Sequence, residues 1–351
     1  MPHVLDRMNN PWGHPDKYQS IPVVTIEKKD KYSNAKLRHI ERLLMQYDPE
    51  LPDKVERTFK QWNLIIRDYL RNETALRLSV GDDMQSVPVR VVSGLPRPFE
   101  AAIDDPEELL MLLRRPLFVN TAVGLNFVKE YFDLLSNQRR VKPVMTTSDE
   151  VHRVETFLDK IIQGIEEVNL YKQISSIDED ILGAYFFRIP LIHLYWMVIG
   201  TIAAMLDVAV EGLTIVVTAH ELAHAYSHLG RDIDGERWDE RKFADTDLRV
   251  VEGLAQFYTQ VICEKINNRV PSALEAYRRL LTLQPEQYTV HKTWIPDTKA
   301  AGEIIRVSMI ECRSQYITNY DDFLKVVERH STNITRPPVK KQRLKKNDIG
   351  F

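Results

Sequence analysis

The chain has 351 residues, enough for two domains or for one large domain with an appendage, because single hydrophobic cores seldom exceed about 250 to 300 residues. Hydrophobic residues make up 44% and charged residues 28%, which is typical of an ordinary folded protein and does not fit a disordered or fibrous class. The formal net charge of -3 gives no overall attraction for nucleic acid, so no nucleic-acid partner is expected.

The cysteines and the first residues indicate the cellular compartment. Cys263 and Cys312 are too few for a disulfide framework and form no CxxC pair, which favours a reducing compartment. Residues 1–20 are polar and lack the basic patch and apolar run of a signal peptide. Both features predict a cytoplasmic protein.

The first half of the sequence predicts helices without candidate chemistry. Apolar residues recur at helical spacing over 34–47 and 54–71, and three further helices are predicted over 106–115, 125–136 and 149–169. Apolar and polar residues alternate on both sides of the turn residues Gly81-Asp82-Asp83, which predicts a β-hairpin there.

These patterns predict a division of the chain. We expect an N-terminal helical region with a β-hairpin over 1–147, whose role the pattern does not reveal, and a second domain over 148–335. The polar stretch 136–149 is the predicted boundary. The basic residues of 336–351 predict a disordered tail, with binding to nucleic acid or another anionic partner as a weak exception.

An almost wholly apolar run covers residues 191–206. As a helix it would extend about 24 Å, less than the roughly 30 Å of a hydrocarbon core, so the run predicts buried protein core and no membrane partner. A membrane-embedded protein is the alternative.

The sequence HELAH lies within residues 214–230. His220 and His224 are four residues apart, so on a helix both imidazoles face the same way and can bind one metal ion. Glu221 follows the first histidine, where its carboxylate can act as a general base toward water at the metal. The neighbouring residues are largely apolar, which predicts a buried helix in which polar side chains need partners.

A third ligand is needed to complete a zinc site, and Glu252 is the preferred candidate. It opens a second apolar helix and would leave a fourth position open. Asp232 or Asp234 in the loop is an alternative. His228 would lie about 12 Å along a straight helix from His220, so we expect it to line the cleft or to cap the helix end, where the dipole favours a cation.

HELAH followed by EGLAQ at 252–256 resembles the gluzincin branch of the zincin metallopeptidases over roughly residues 183–265. The resemblance implies a predominantly helical α+β fold, with a zincin-like catalytic core over 148–335 and an N-terminal α/β region. It also implies one zinc ion per chain and a peptide or protein substrate. An edge strand at 184–189, or in part of 191–198, would pair with that substrate.

Three positions separate this sequence from related patterns. Ser227 and Gly230 stand where the metzincin branch has a glycine and its third ligand, so that branch does not fit. Gln256 stands where some gluzincins have an aspartate that holds the first histidine, and a neutral amide supports an imidazole less strongly. Asp245 or Asp247 is the alternative for that role.

A further donor is expected to stabilise the oxyanion of the reaction. Tyr288 and His291 are the candidates chosen, with Tyr258 as another, although a core tyrosine and a surface histidine explain the first two equally well. Arg306 and Arg313 are able to bind a substrate carboxylate, but structural ion pairs are the commoner use.

These residues together predict a zinc-dependent hydrolase, a peptidase, with His220, His224 and Glu252 as metal ligands and Glu221 as catalytic base. A non-catalytic scaffold stabilised by zinc is the alternative function.

Overall fold

The computed structural model describes residues 26–78, 87–137, 145–167, 169–177, 181–294 and 300–335. These residues are mostly helical and include a small sheet, which confirms the predicted α+β class with predominant helix. The predicted basic tail, 336–351, lies outside them.

The described residues form helices throughout both halves of the chain. In chain order they are α1 (Ile26–Tyr47), α2 (Leu51–Thr74), α3 (Arg97–Ala102), α4 (Glu108–Asn137), α5 (Met145–Glu167) and α6 (Asn169–Ser175). The second half contains α7 (Trp196–Leu206), α8 (Val210–Leu229), α9 (Glu240–Asp245), α10 (Leu248–Ile266), α11 (Pro271–Leu281), α12 (Glu286–Thr289), a 3₁₀ turn (Val290–Thr293), α13 (Ala301–Gln315) and α14 (Tyr320–Thr335). The strands are β1 (Arg77–Leu78), β2 (Val89–Val92), β3 (Gly183–Phe186), β4 (Leu191–Tyr195) and β5 (Gly230–Arg231).

Helix α8 lies at the centre of the molecule. Every residue from Gly212 to Leu229 is buried, since apolar side chains occur on all sides of this helix. It packs against α2, α10, α11 and strand β3. Gly212 allows the close approach to α11, because a Cβ there would lie 2.4 Å from the Ser272 carbonyl oxygen.

The two amphipathic helices predicted near the start of the chain are confirmed. Helix α1 includes 34–47 and α2 includes 54–71, and the predicted stripe of α2 is buried at Val55, Trp62 and Ile66. Because α2 packs against α8, residues before and after the predicted boundary at 136–149 share one hydrophobic core. Part of that boundary lies outside the described residues.

The predicted β-hairpin is wrong. Strand β1 pairs antiparallel with β5, and β2 pairs parallel with β4, so the two strands expected to form the hairpin pair with strands far along the chain. Alternation identified the strands, but it carries no information on which backbone satisfies their hydrogen bonds. The turn residues Gly81-Asp82-Asp83 lie outside the described residues.

The apolar run 191–206 divides into strand β4 and helix α7. The run packs in the protein core, as predicted, and every residue of α7 is buried. Over the described residues, no helix has both the length and the apolar character to cross a membrane. In the sheet order β2-β4-β3, strand β4 is central and β3 lies at an edge. Of the two segments predicted to contain an edge strand, 184–189 overlaps β3 at the sheet edge, and 191–198 contains the central strand β4.

Helices α4 and α5 form a pair in the first half. The two helices predicted over 106–115 and 125–136 are a single helix, α4, which continues through Pro116. Helix α4 packs against α5 and α7, and these tertiary contacts compensate for the hydrogen bond that a proline removes from a helix interior.

Candidate metal centre

His220 and His224 lie one turn apart on the buried helix α8. Their Nε2 atoms are 3.0 Å apart, and the ring planes meet at 88°. His220 is 5% exposed and His224 is 0% exposed, so neither imidazole faces bulk water. The helical spacing therefore brings two nitrogen donors to one point, as the sequence predicts.

Helix α10 brings the third ligand atom. It begins at Leu248 after the cap Asp247, whose Oδ1 accepts a hydrogen bond from the Arg249 backbone N–H, and it packs against α8. This packing places Glu252 Oε2 3.3 Å from His220 Nε2 and 3.4 Å from His224 Nε2.

The donor set fits a metal ion. The ligand atoms all lie within 4.8 Å of one another. Donors at about 2.0 to 2.1 Å from a tetrahedral zinc ion are separated by roughly 3.3 Å, close to the three separations found here. His220, His224 and Glu252 thus form a buried group able to hold a metal ion.

The electrostatics of this buried group favour the charged form of Glu252. Burial by itself raises the pKa of the Glu252 carboxyl, but positive charge on His224 and His220 and the hydrogen bonds to them lower it by more, so the net pKa lies well below its ordinary value. Glu252 is therefore an anion, the form in which a carboxylate binds a metal ion.

Glu221 lies between α8 and the edge strand β3. Its side chain is 1% exposed, and it comes so close to Gly183 that a Cβ there would lie 2.7 Å from Glu221 Oε1. Only glycine leaves room for this carboxylate without a shift. Gly183 was not among the predicted site residues, although a glycine in a strand is a recognised sign of close approach.

His228 does not act as a cation at the helix end. It is 2% exposed, its Nδ1 lies 2.9 Å from the Tyr185 hydroxyl oxygen, and its ring stacks on Phe243 at 4.4 Å. Burial lowers the pKa of His228 to about 3, aided by positive charge on Arg237 and Arg313. The expected dipole-stabilised cation is wrong, because the cost of burying charge exceeds the attraction of the helix end.

The two predicted oxyanion donors differ in position. Tyr288 is buried, and its ring centroid lies 6.1 Å from that of His220. His291 is also buried, so the reading as a surface histidine is wrong; its Nδ1 lies 3.1 Å from the Tyr288 carbonyl oxygen and its Nε2 3.0 Å from the Tyr277 hydroxyl oxygen. Burial lowers the pKa of His291 to about 4. The structure thus brings Tyr288 toward the metal ligands and engages both nitrogens of His291 elsewhere.

The residues considered as support for the ligand histidines have other contacts. Gln256 is buried and its Nε2 donates to Gln284 Oε1 at 3.0 Å. Asp247 caps α10 and also accepts hydrogen bonds from the Arg249 side chain, while Asp245 is exposed.

Asp232, considered as a metal ligand, and Arg313, considered as a contact for a substrate carboxylate, both stabilise the turn after α8. Asp232 Oδ1 accepts hydrogen bonds from the backbone N–H groups of Asp234 and Glu236, so this loop is held by an aspartate turn. Arg313 is buried and its Nη2 donates to the carbonyl oxygens of Gly230 and Glu236 at 2.7 and 2.6 Å.

Two further candidates lie on α10 and α13. Arg306 Nε donates to Glu303 Oε2 at 2.9 Å, an ion pair within one helix. Tyr258 is fully buried, and burial raises its pKa, with Arg306 and Arg313 among the charges around it. Arg306 thus forms the structural ion pair expected for such an arginine, whereas Arg313 binds backbone carbonyl oxygens.

A scan against protein-family models and searches of curated proteins and of solved structures found no match for this chain. The interpretation of the site therefore depends on its own geometry.

Proposed function

We propose that this protein is a zinc-dependent hydrolase with a zincin-like core that cleaves peptide bonds in a peptide or protein substrate. The observation that supports it most strongly is the convergence of His220, His224 and Glu252 on one point, with the carboxylate of Glu221 on the same helix.

The proposed reaction assigns a role to each residue. His220, His224 and Glu252 would hold the zinc ion, and a zinc ion bound there would polarise a carbonyl oxygen and increase the acidity of water. Glu221 accepts a proton from the attacking water and returns it to the leaving amine.

Tyr288 and strand β3 complete the proposed arrangement. Tyr288 lies next to His220, and its hydroxyl group would donate a hydrogen bond to the oxyanion that develops on the substrate carbonyl. Strand β3 lies at a sheet edge beside Glu221, where an extended peptide can add to the sheet through its backbone.

One observation favours a second function, a non-catalytic scaffold stabilised by zinc. Glu221 and the three candidate ligands are each at most 5% exposed, and structural zinc sites are closed to solvent in this way. The scaffold needs the three ligands but has no use for the carboxylate of Glu221.

Replacement of Glu221 distinguishes the two functions. We expect zinc-loaded wild type to cleave members of a quenched fluorescent peptide library, and Glu221→Gln to lose at least about 100-fold in kcat/KM while it keeps its zinc. Glu211→Gln, an exposed position on the same helix, is the matched control and keeps full activity. Zinc-loaded wild type that cleaves no peptide would refute the peptidase and favour the scaffold.

A further inference from the structure

A pocket with apolar walls lies beside the metal centre. The empty space in it is about 480 Å³, including the part open to solvent. Its walls come from α6, α7, the end of α11 and the segments that follow α6 and α11. Aliphatic side chains form most of the surface, among them Ile174, Ile181, Leu182, Ile202, Leu280 and Leu283.

Three contacts connect the pocket to the metal centre. Tyr288 lines the pocket and also lies next to His220, with the ring centroids 6.1 Å apart. Leu182 lines the pocket and directly precedes Gly183, the residue in close contact with Glu221. Tyr288 therefore belongs both to the pocket wall and to the proposed catalytic groups, and Leu182 connects the pocket to strand β3.

The third contact runs through two amides. Gln284 lines the pocket and its Oε1 accepts a hydrogen bond from Gln256, which is one turn beyond Glu252 on α10. Gln256 thus reaches from the metal-binding helix to the pocket wall. This contact gives a structural role to the Gln256 amide, at the position where some gluzincins have an aspartate.

The pocket selects against charge. Of the described residues that line it, none is charged, and the polar groups are limited to Ser175, Gln284 and Tyr288. A charged group placed there would lose its hydration without gaining a partner, whereas an apolar group would displace water favourably.

We propose that this pocket binds a bulky apolar side chain, aliphatic or aromatic, of the residue next to the bond that is cleaved. The inference rests on the proposed function and specifies its substrate class. Burial of a leucine-sized group is expected to improve affinity by about 10- to 100-fold over a substrate with glycine at that position.

Hydroxamates test the inference without requiring turnover. Leucine hydroxamate and glycine hydroxamate carry the same metal-binding group and differ in the side chain. On the zinc-loaded wild type and on zinc-loaded Glu221→Gln, calorimetry is expected to show at least tenfold tighter binding of leucine hydroxamate. Equal affinities for the two compounds would overturn the inference.

A variant that fills the pocket supplies the specificity test. Leu283 is half-buried at the pocket, and Leu283→Trp is expected to remove most of the preference for leucine hydroxamate. Leu324→Trp, at a half-buried position on α14, is the matched control and keeps the preference. If Leu283→Trp does not fold, Ile177→Phe at the same pocket replaces it. A preference that survives in the filled pocket would refute its assignment to this site.

The two proposals fail in different ways. Zinc-loaded protein that prefers leucine hydroxamate but cleaves no peptide refutes the peptidase and supports the pocket. Cleavage that is indifferent to the side chain next to the cleaved bond, with unchanged kinetics in Leu283→Trp, refutes the pocket and supports the peptidase.

Discussion

Gly183 and Glu221 belong to elements that are distant in sequence, yet their atoms are in close contact. Because strand β3 passes directly over the carboxylate, the backbone at Gly183 fixes the space available to it. The position of the proposed base therefore depends on a residue that carries no functional group.

Gly183→Ala tests this dependence. The added Cβ would lie 2.7 Å from Glu221 Oε1, so the carboxylate has to move. Since a displacement of about 1 Å at a reacting group is able to cost about 100-fold, we expect a 10- to 100-fold lower kcat/KM. Zinc content by elemental analysis is expected to stay at the wild-type level. Gly94→Ala, where a Cβ meets nothing within 4 Å, is the control. Full activity in Gly183→Ala would show that Glu221 has room to adjust.

His228 gives the protein a stability that depends on pH. The pKa of His228 is lowered to about 3 by burial, while an unfolded histidine titrates near 6.5. Below pH 6.5 the unfolded chain binds a proton that the folded chain does not, so the free energy of unfolding falls as the pH decreases toward 3. This residue alone is expected to lower it by about 2 kcal/mol between pH 7.5 and pH 5.

His228→Phe isolates that contribution. Phenylalanine keeps a ring against Phe243 but cannot titrate. Urea unfolding at pH 7.5 and at pH 5 is expected to show that wild type loses about 2 kcal/mol more than the variant over this interval. If wild type and variant lose the same free energy of unfolding over this interval, folding does not lower the pKa of His228.

At the scale of elements, the cap of α10 orients the helix that carries Glu252. Asp247→Ala removes an N-cap and is expected to lower the free energy of unfolding by about 1 kcal/mol, measured by urea unfolding. Zinc content should not change, since Glu252 lies more than one turn beyond the cap. Asp245→Ala, at an exposed position, should have an effect of less than about 0.5 kcal/mol. Loss of zinc in Asp247→Ala with normal stability would instead indicate that Asp247 supports a ligand histidine.

The elements predicted well are those with a strong local signal. Helices α1 and α2 have one apolar stripe each, and the histidine pair follows directly from the helical repeat. The division of the run 191–206 into a strand and a helix was harder to predict, because its residues are almost all apolar and the sequence has no clear periodicity there. The helices predicted over 106–115 and 125–136 form the single helix α4, which tertiary contacts keep continuous through Pro116.

At the scale of the whole molecule, the features that could not be predicted all depend on long-range contacts. The partners of β1 and β2 lie far along the chain, and local alternation does not specify them. The burial of His228, the position of Gly183 over Glu221 and the pocket beside Tyr288 arise from the packing of separate helices and strands around α8. The sequence predicted which residues come together as a group able to hold a metal ion, but not what surrounds that group.

Zinc content per chain is the most direct test of the central claim. Elemental analysis of protein purified with zinc is expected to find about one zinc ion per chain in wild type and in Glu221→Gln, and clearly less in Glu252→Ala. Glu264→Ala, an exposed position on the same helix as Glu252, is the control and should match wild type. Wild-type protein without zinc, or Glu252→Ala with a full zinc ion, would contradict the proposed centre.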